Sequence, residues 1–129
     1  MNSQVYHFPV QIYYEDTDFS GVVYHANYLK YFERSREHVI GKQILVDLWK
    51  KEGLGFAVYK ADITYSEGAE FGDILNIRSS YRIDGKYRII WQHEAWRENG
   101  RKPAVSCELH LVCMDQDKKL APIPLDYFS

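Results

Sequence analysis

The chain has 129 residues, 46% of them hydrophobic and 26% charged, a balance that suits one globular domain over residues 1–129 and leaves too little length for two separate cores. Lys and Arg number 16 against 18 Asp and Glu, a formal net charge of −2 scattered over both halves. That distribution excludes the basic stripe on which nucleic-acid binding depends.

The first residues, Met1 to His7, lack the basic start and long apolar run of a secretory signal, and no apolar stretch approaches a membrane span. The expected location is the cytoplasm. Cys107 and Cys113 fall six residues apart in one apparent strand, roughly 20 Å at about 3.3 Å per residue, too far to bridge each other. Unbridged cysteines suit a reducing compartment. Aromatic residues make up 16% of the chain, with 11 Tyr, more than a small core needs and in keeping with a homo-oligomer whose sites lie between subunits.

Residues 5–14 alternate, with Tyr6, Phe8, Val10, Ile12 and Tyr14 on one face, which predicts a strand whose Tyr14 packs inward. Pro9 places that strand at a sheet edge or a bulge. Residues 15–24 carry acids, Ser20 and Gly21 without either period and read as a loop. From Asn27 to Ile40, Tyr28, Leu29, Phe32, Val39 and Ile40 recur at helical spacing, with Arg36 the polar member of the row. Asn27 is the expected N-cap and Gly41 the expected stop. A shorter pattern at Ile44, Leu45, Leu48 and Trp49, ended by Gly53, predicts one or two further helical turns.

The remainder reads as strands. In 56–66 the odd residues Ala57, Tyr59, Ala61, Ile63 and Tyr65 form one face; in 74–83 the face is Leu75, Ile77, Tyr81 and Ile83. Asp84-Gly85 signals a two-residue hairpin into a strand carrying Tyr87, Ile89, Trp91 and Ala95. Asn99-Gly100 signals a second hairpin, and Val105, Cys107, Leu109, Leu111 and Cys113 form the apolar face of the last strand before Pro122 and Pro124 end regular structure. One strand, a long helix and four strands with matching apolar faces predict an α+β fold, an antiparallel five-stranded sheet wrapped around the helix.

Chemistry is concentrated between the first strand and the helix. Glu15, Asp16, Asp18 and His25 crowd one connection, and loops held by rigid elements commonly carry reactive groups. Amides at the start of a helix have no partner within it and can face an anion or a carbonyl oxygen. A carboxylate beside them can attack that carbonyl or activate water. On residue types alone, the first reading of Asp18 is a solvated turn residue and of His25 a helix-start residue sharing a hydrogen bond. Asp16 reads as a loop-holding side chain. The five His are dispersed and form no ligand spacing with the two Cys, so no metal and no cofactor are expected; His93 and His110 read as strand-face residues. No Gly-x-Ser-x-Gly elbow is present.

The run Tyr14-Glu15-Asp16-Thr17-Asp18, followed by Gly21-Val22-Val23-Tyr24-His25-Ala26-Asn27-Tyr28 and Phe32-Glu33-Arg34-Ser35-Arg36, resembles the signature of the 4-hydroxybenzoyl-CoA thioesterase family, most closely its YbgC-type branch. The resemblance covers almost the whole chain. It implies the hotdog fold, a homodimer whose two sheets join, often paired again into a tetramer, and acyl-CoA as substrate bound where subunits meet. By the same resemblance Asp18 takes the place of the catalytic carboxylate, as nucleophile or as general base, and His25 that of the branch's histidine, where an imidazole can position the thioester or move a proton. Tyr24, Asn27 and Phe19 stand beside them as candidate substrate contacts. Short aliphatic acyl groups are the family's default. Lys60, Arg78, Arg82, Lys86, Arg88, Arg101 and Lys102 are candidates for the phosphates of CoA. Acyl carrier protein thioesters are an alternative substrate, and a hotdog dehydratase or hydratase, or a binding protein of the same fold, an alternative class. The chain departs from the family pattern at Phe19-Ser20, where small residues are frequent, and at Glu67-Gly68-Ala69, where Pro often precedes the Ala.

Overall fold

A computed structural model describes residues 2–128. Strands β1 (Tyr6–Gln11), β2 (Gly55–Tyr65), β3 (Ile74–Asp84), β4 (Arg88–Trp96) and β5 (Val105–Met114) form one sheet in the order β1-β3-β4-β5-β2. Every pairing is antiparallel, and a two-residue strand β6 (Leu120–Ala121) adds to the end of β5. Helix α1 (Asn27–Ile40) lies against this sheet, followed by α2 (Lys42–Asp47) and a wider turn over Leu48–Glu52. The α+β hotdog architecture read from the sequence is the one observed, with the short β6 added to the five expected strands.

The core forms where the apolar row of α1 meets the inward rows of the sheet. Tyr28, Tyr31 and Phe32 of α1 pack with Leu75, Ile77, Ile89, Trp91, Val105 and Leu109, all 2% exposed or less. Each such side chain contributes about 1.5–3 kcal/mol on burial, which fixes α1 to the sheet far more firmly than helix propensity does. The helix stops at Gly41, whose φ of +99° suits a residue without Cβ. Pro9 is accommodated because β1 is an edge strand.

One polar chain crosses this core. The ring of His93, fully buried, is sandwiched between Phe32 at 4.9 Å and Trp91 at 5.4 Å, with interplanar angles of 5° on both sides. Nη1 of Arg36 donates to Nε2 of His93 at 3.1 Å. A guanidinium has donors only, so Nε2 must be the acceptor and the ring proton must sit on Nδ1. Nδ1–H then donates to Oγ of Ser79 at 2.6 Å, and Ser79 shares a hydrogen bond with Ser35 at 2.8 Å. Burial holds His93 well below its ordinary pKa, and the Arg36 charge acts the same way.

Four local expectations need correction. Tyr14 does not continue the inward face of β1: the strand ends at Gln11, and Tyr14 opens a single 3-10 turn (Tyr14–Asp16), 78% exposed and edge-on to Phe71. Asn27 is the first helical residue, preceded by Ala26 in helical geometry without a capping side chain. In β2, Tyr59 is an extra residue, since Val58 pairs with Leu111 and Lys60 with the next residue back, His110. The bulge flips the face: Phe56 and Val58, not Ala57 and Tyr59, share the inward row with Ala61, Ile63 and Tyr65. The two hairpin signals lead to longer turns, with Gly85-Lys86-Tyr87 between paired Asp84 and Arg88, and residues 97–104 between β4 and β5.

Candidate active site

The segment between β1 and α1 is held by its own backbone. Asp16 is the clamp: its Oδ2 accepts from the Tyr13 amide at 2.8 Å, and its carbonyl accepts from the Tyr24 amide and from Nδ2 of Asn27, each at 2.9 Å. Thr17 bridges Val23, so residues 17–23 make a small hairpin, turned at Gly21 with φ +88°. The Asp18 amide donates to the Val22 carbonyl at 2.9 Å. That hairpin is fastened to the β2–β3 connection, because the Val23 amide donates to the Ala69 carbonyl at 2.9 Å and Val22 bridges Glu70. Gly68 permits this approach: a Cβ there would stand 2.7 Å from Cγ1 of Val22, so the unusual Glu67-Gly68-Ala69 is a packing requirement of this loop.

Asp18 therefore sits on a fixed turn while its side chain stays exposed. Its Oδ1 accepts both the Ser20 hydroxyl and the Ser20 amide, the latter at 2.8 Å, so Oδ2 points free. The Ser20 hydroxyl, then its amide, hold the carboxyl below the usual Asp value, with a smaller contribution from the charge of His25. His25 lies two residues before the start of α1. Its ring packs beside Tyr24 at 4.5 Å and edge-on to Tyr65 at 6.1 Å, and the Tyr65 hydroxyl donates to the His25 carbonyl at 2.9 Å. The amides of His25 and Ala26 have no backbone acceptor among the described residues, whereas the Asn27 amide reaches back to Tyr24.

Asp18 and His25 line one cleft of about 360 Å³, together with Val22, Val23, Tyr28, Tyr65, Ser66, Glu67 and Gly68. A carboxylate oxygen without a partner among the described residues and an imidazole lining one cleft, at a helix start whose first amides have no backbone acceptor among those residues, can hold and attack a polarised carbonyl. Asn27 is engaged with the Asp16 carbonyl, Tyr24 is half exposed against His25, and Phe19 stands fully exposed at the hairpin tip; none of the three lines the cleft in the single chain. Tyr65, Glu67 and Ser20 were not named as site residues by sequence reasoning. The Asp-x-Ser turn was a legible signal for Ser20, but nothing local marks the end of β2 as a wall of this cleft.

The cations are divided by position. Arg101 and Lys102 line a second cleft that shares Glu67 with the first, and Arg97, held to Asp73 at 3.2 Å, lines it too. Arg78 stacks on the Trp96 ring at 4.1 Å, and Arg88 is committed to Asp84 and the Tyr59 hydroxyl. No three His, Cys, Asp or Glu side chains are grouped to hold a metal among the described residues. No helix among them is long and apolar enough to cross a membrane.

A sheet wrapped around one helix, with a carboxylate and a histidine at the helix's amino end, is the arrangement expected of a thioester hydrolase of the hotdog class. Comparison with known proteins narrows this. The family described as the thioesterase-like superfamily matches residues 13–127. The acyl-CoA thioester hydrolase YbgC of Escherichia coli O6:H1 is 38% identical over 121 residues, 89% of this chain and 86% of that protein. The acyl-CoA thioesterase YbgC of Helicobacter pylori is 42% identical over 86 residues, 67% of this chain and 63% of that protein. Among solved structures, a probable thioesterase from Bartonella henselae superposes with a TM-score of 0.86 at 28% identity, covering 94% of this chain and 100% of the other. The chain belongs to the thioesterase-like superfamily, within the 4-hydroxybenzoyl-CoA thioesterase group and on its YbgC-type branch.

Proposed function

We propose that the chain hydrolyses acyl-CoA to the free acid and CoA, with Asp18 as the reacting carboxylate and His25 beside it. The observation that carries this is the one cleft lined by both Asp18 and His25, where Oδ2 of Asp18 has no partner among the described residues. In the reaction, Oδ2 attacks the thioester carbonyl carbon. The oxyanion that forms is met by the amides of His25 and Ala26, and collapse expels CoA as a thiolate, a good leaving group that needs no strong acid. The resulting mixed anhydride on Asp18 is then hydrolysed by water.

The lowered pKa of Asp18, set first by the Ser20 hydroxyl, keeps the carboxylate ionised, the form that attacks. Short aliphatic acyl groups are the simplest fit to a cleft of about 360 Å³. Arg101 and Lys102, one cleft away past Glu67, are the cations best placed for the phosphates of CoA. Tyr24 and Phe19 would meet substrate in the assembled protein, where subunits adjoin.

The proposed assembly is a homodimer, paired again into a tetramer, of single-domain chains acting in the cytoplasm. Its seam is β2, an eleven-residue edge strand paired on one side only, with Val58, Tyr59 and Tyr65 about half exposed; the two buried, unbridged cysteines suit a reducing compartment. A borohydride quench of the enzyme turning over acyl-CoA tests the chemistry. Reduction of a mixed anhydride converts Asp18 to homoserine, read by peptide mass; repeated recovery of unmodified Asp18 during turnover favours the water-activating route instead. Parallel rates on acyl-CoA and acyl carrier protein thioesters separate the two carriers.

A further inference from the structure

A mixed anhydride on Asp18 leaves the second half of the reaction without Asp18 as a base, because that carboxylate is then bonded to the acyl group. Water attacking the acyl carbon must hand a proton to another side chain within reach. The space the thiolate vacates is the one open to that water, so the group in question stands where the cleft opens toward CoA.

Glu67 occupies that boundary. It lines the cleft of Asp18 and His25 and also the neighbouring cleft of Arg97, Arg101 and Lys102, where the phosphates of CoA are placed above. The first cleft has two walls, one from residues 18–28 and one from residues 65–68, and Glu67 is the carboxylate of the second. Its side chain is exposed, and although three cations share the neighbouring cleft, no ion pair holds it among the described residues. Its backbone, in contrast, is fixed. The amides of Ser66 and Glu67 both donate to the carbonyl of fully buried Ala104, at 2.8 and 3.0 Å. On the other side, Gly68 lies against Val22 and the Ala69 carbonyl accepts from Val23, so the wall that carries Glu67 is tied to the hairpin that carries Asp18. An unpaired carboxylate on an anchored backbone keeps its place in the cleft while its oxygens stay available.

Resting on the thioesterase reading above, we propose that Glu67 is the base of the second step, taking a proton from the water that attacks the anhydride on Asp18. The water oxygen bonds to the acyl carbon, the bond from that carbon to Oδ2 of Asp18 breaks, and its electron pair returns to Asp18. One proton of the water goes to Glu67 and then to solvent; the other stays on the product acid, which ionises on release. Asp18 is the nucleophile of the first step and Glu67 the base of the second.

The test follows thiol release after rapid mixing with the fastest acyl-CoA substrate, with a borohydride quench and peptide mass on the same samples, for wild type, Glu67→Gln, Glu67→Asp and His25→Ala. Glu67 is exposed, so the near-isosteric Gln leaves the packing intact. Glu67→Gln should release a burst of CoA stoichiometric with active sites at the wild-type rate, then turn over about 10²-fold more slowly or worse, the loss expected of a missing general base. Asp18 should be recovered as homoserine in higher yield from that variant than from wild type, and Glu67→Asp, which keeps a carboxylate, should regain part of the steady rate. Unchanged steady turnover in Glu67→Gln overturns the proposal, as does a variant in which burst and steady phase slow together, the result of a merely structural role. A burst with trapped anhydride in His25→Ala but not in Glu67→Gln gives the base to the imidazole and overturns it too. Unmodified Asp18 from every protein during turnover removes the covalent route and the proposal with it. Thiol release by wild type from no acyl-CoA is a different failure, that of the thioesterase reading itself.

Discussion

Replacing His93 with Phe keeps a flat ring between Phe32 and Trp91 but removes both ring nitrogens. Ser79 retains Ser35 as a partner at 2.8 Å, so the main loss falls on Arg36, whose buried Nη1 no longer has its acceptor. A hydrogen bond to a charged group contributes ~1.5–3 kcal/mol, and the better burial of a Phe ring offsets part of that. A destabilisation of about 2 kcal/mol near pH 7.5 is expected. The pH dependence makes the prediction specific. Because the folded-state pKa of His93 is lowered well below 6.5, its neutral form contributes fully above the unfolded value and stability is lost as pH falls below it, where the unfolded chain takes up a proton that the folded chain refuses. About one pH unit below that value, wild type gives up about 1.4 kcal/mol through this group; the Phe variant does not. Urea unfolding of both proteins at one protein concentration, near pH 7.5 and near pH 5.5, should show the gap shrinking by about 1.4 kcal/mol. A gap equal at both pH values would refute the assignment of His93 as a neutral, buried acceptor.

Ser20→Ala should raise the acid limb of kcat/KM: the Ser20 hydroxyl is the foremost cause of the lowered Asp18 pKa, so without it the carboxylate protonates at higher pH, and initial rates across the acid range read the shift. Gly68→Ala should weaken the loop, since its Cβ would collide with Val22; a destabilisation of ~1–3 kcal/mol and a larger fall in turnover are expected from urea unfolding and steady-state rates. His25→Ala should lower kcat less than Asp18→Asn does, because the helix-start amides remain; equal losses would give the imidazole an indispensable role. Light scattering should return a dimer or a multiple of one, and an active monomer would contradict β2 as the subunit seam.

Much of this architecture was legible where periodicity and a stop signal agreed. Helix α1 runs from Asn27 to Ile40 as its apolar spacing requires, and Gly41 ends it. The inward rows of β3 and β5 follow from strict alternation. Legibility failed where tertiary pairing overrides the local pattern. The odd-numbered face of β2 reads correctly from Ala61 onward and wrongly before it, because one unpaired residue, Tyr59, shifts the register against β5, and no residue in the strand announces a bulge. Tyr14 matches the alternation of β1, yet the Asp16 clamp on Tyr13 turns the chain before it. Asn27 has the chemistry of a cap, but its side chain is taken by the Asp16 carbonyl eleven residues back. The cleft was legible in Asp18 and His25 and not in its walls. Asp18 and His25 stand in one contiguous motif, whereas Tyr65 and Glu67 arrive from the end of β2, a contact set by the fold.

Arg36 shows the same division. Its position on the apolar row of α1 was apparent from spacing, but its pairing with His93, 57 residues away, depends on how β4 packs against the helix.

The central claim is that Asp18 performs thioester hydrolysis, and the most direct measurement is free-thiol release from acetyl- through palmitoyl-CoA and from benzoyl-type CoA esters by wild type and by Asp18→Asn, with folded state and assembly verified for both. The account predicts turnover on at least one acyl class by wild type and its near-complete loss in the variant. Near wild-type turnover by a folded Asp18→Asn would contradict it.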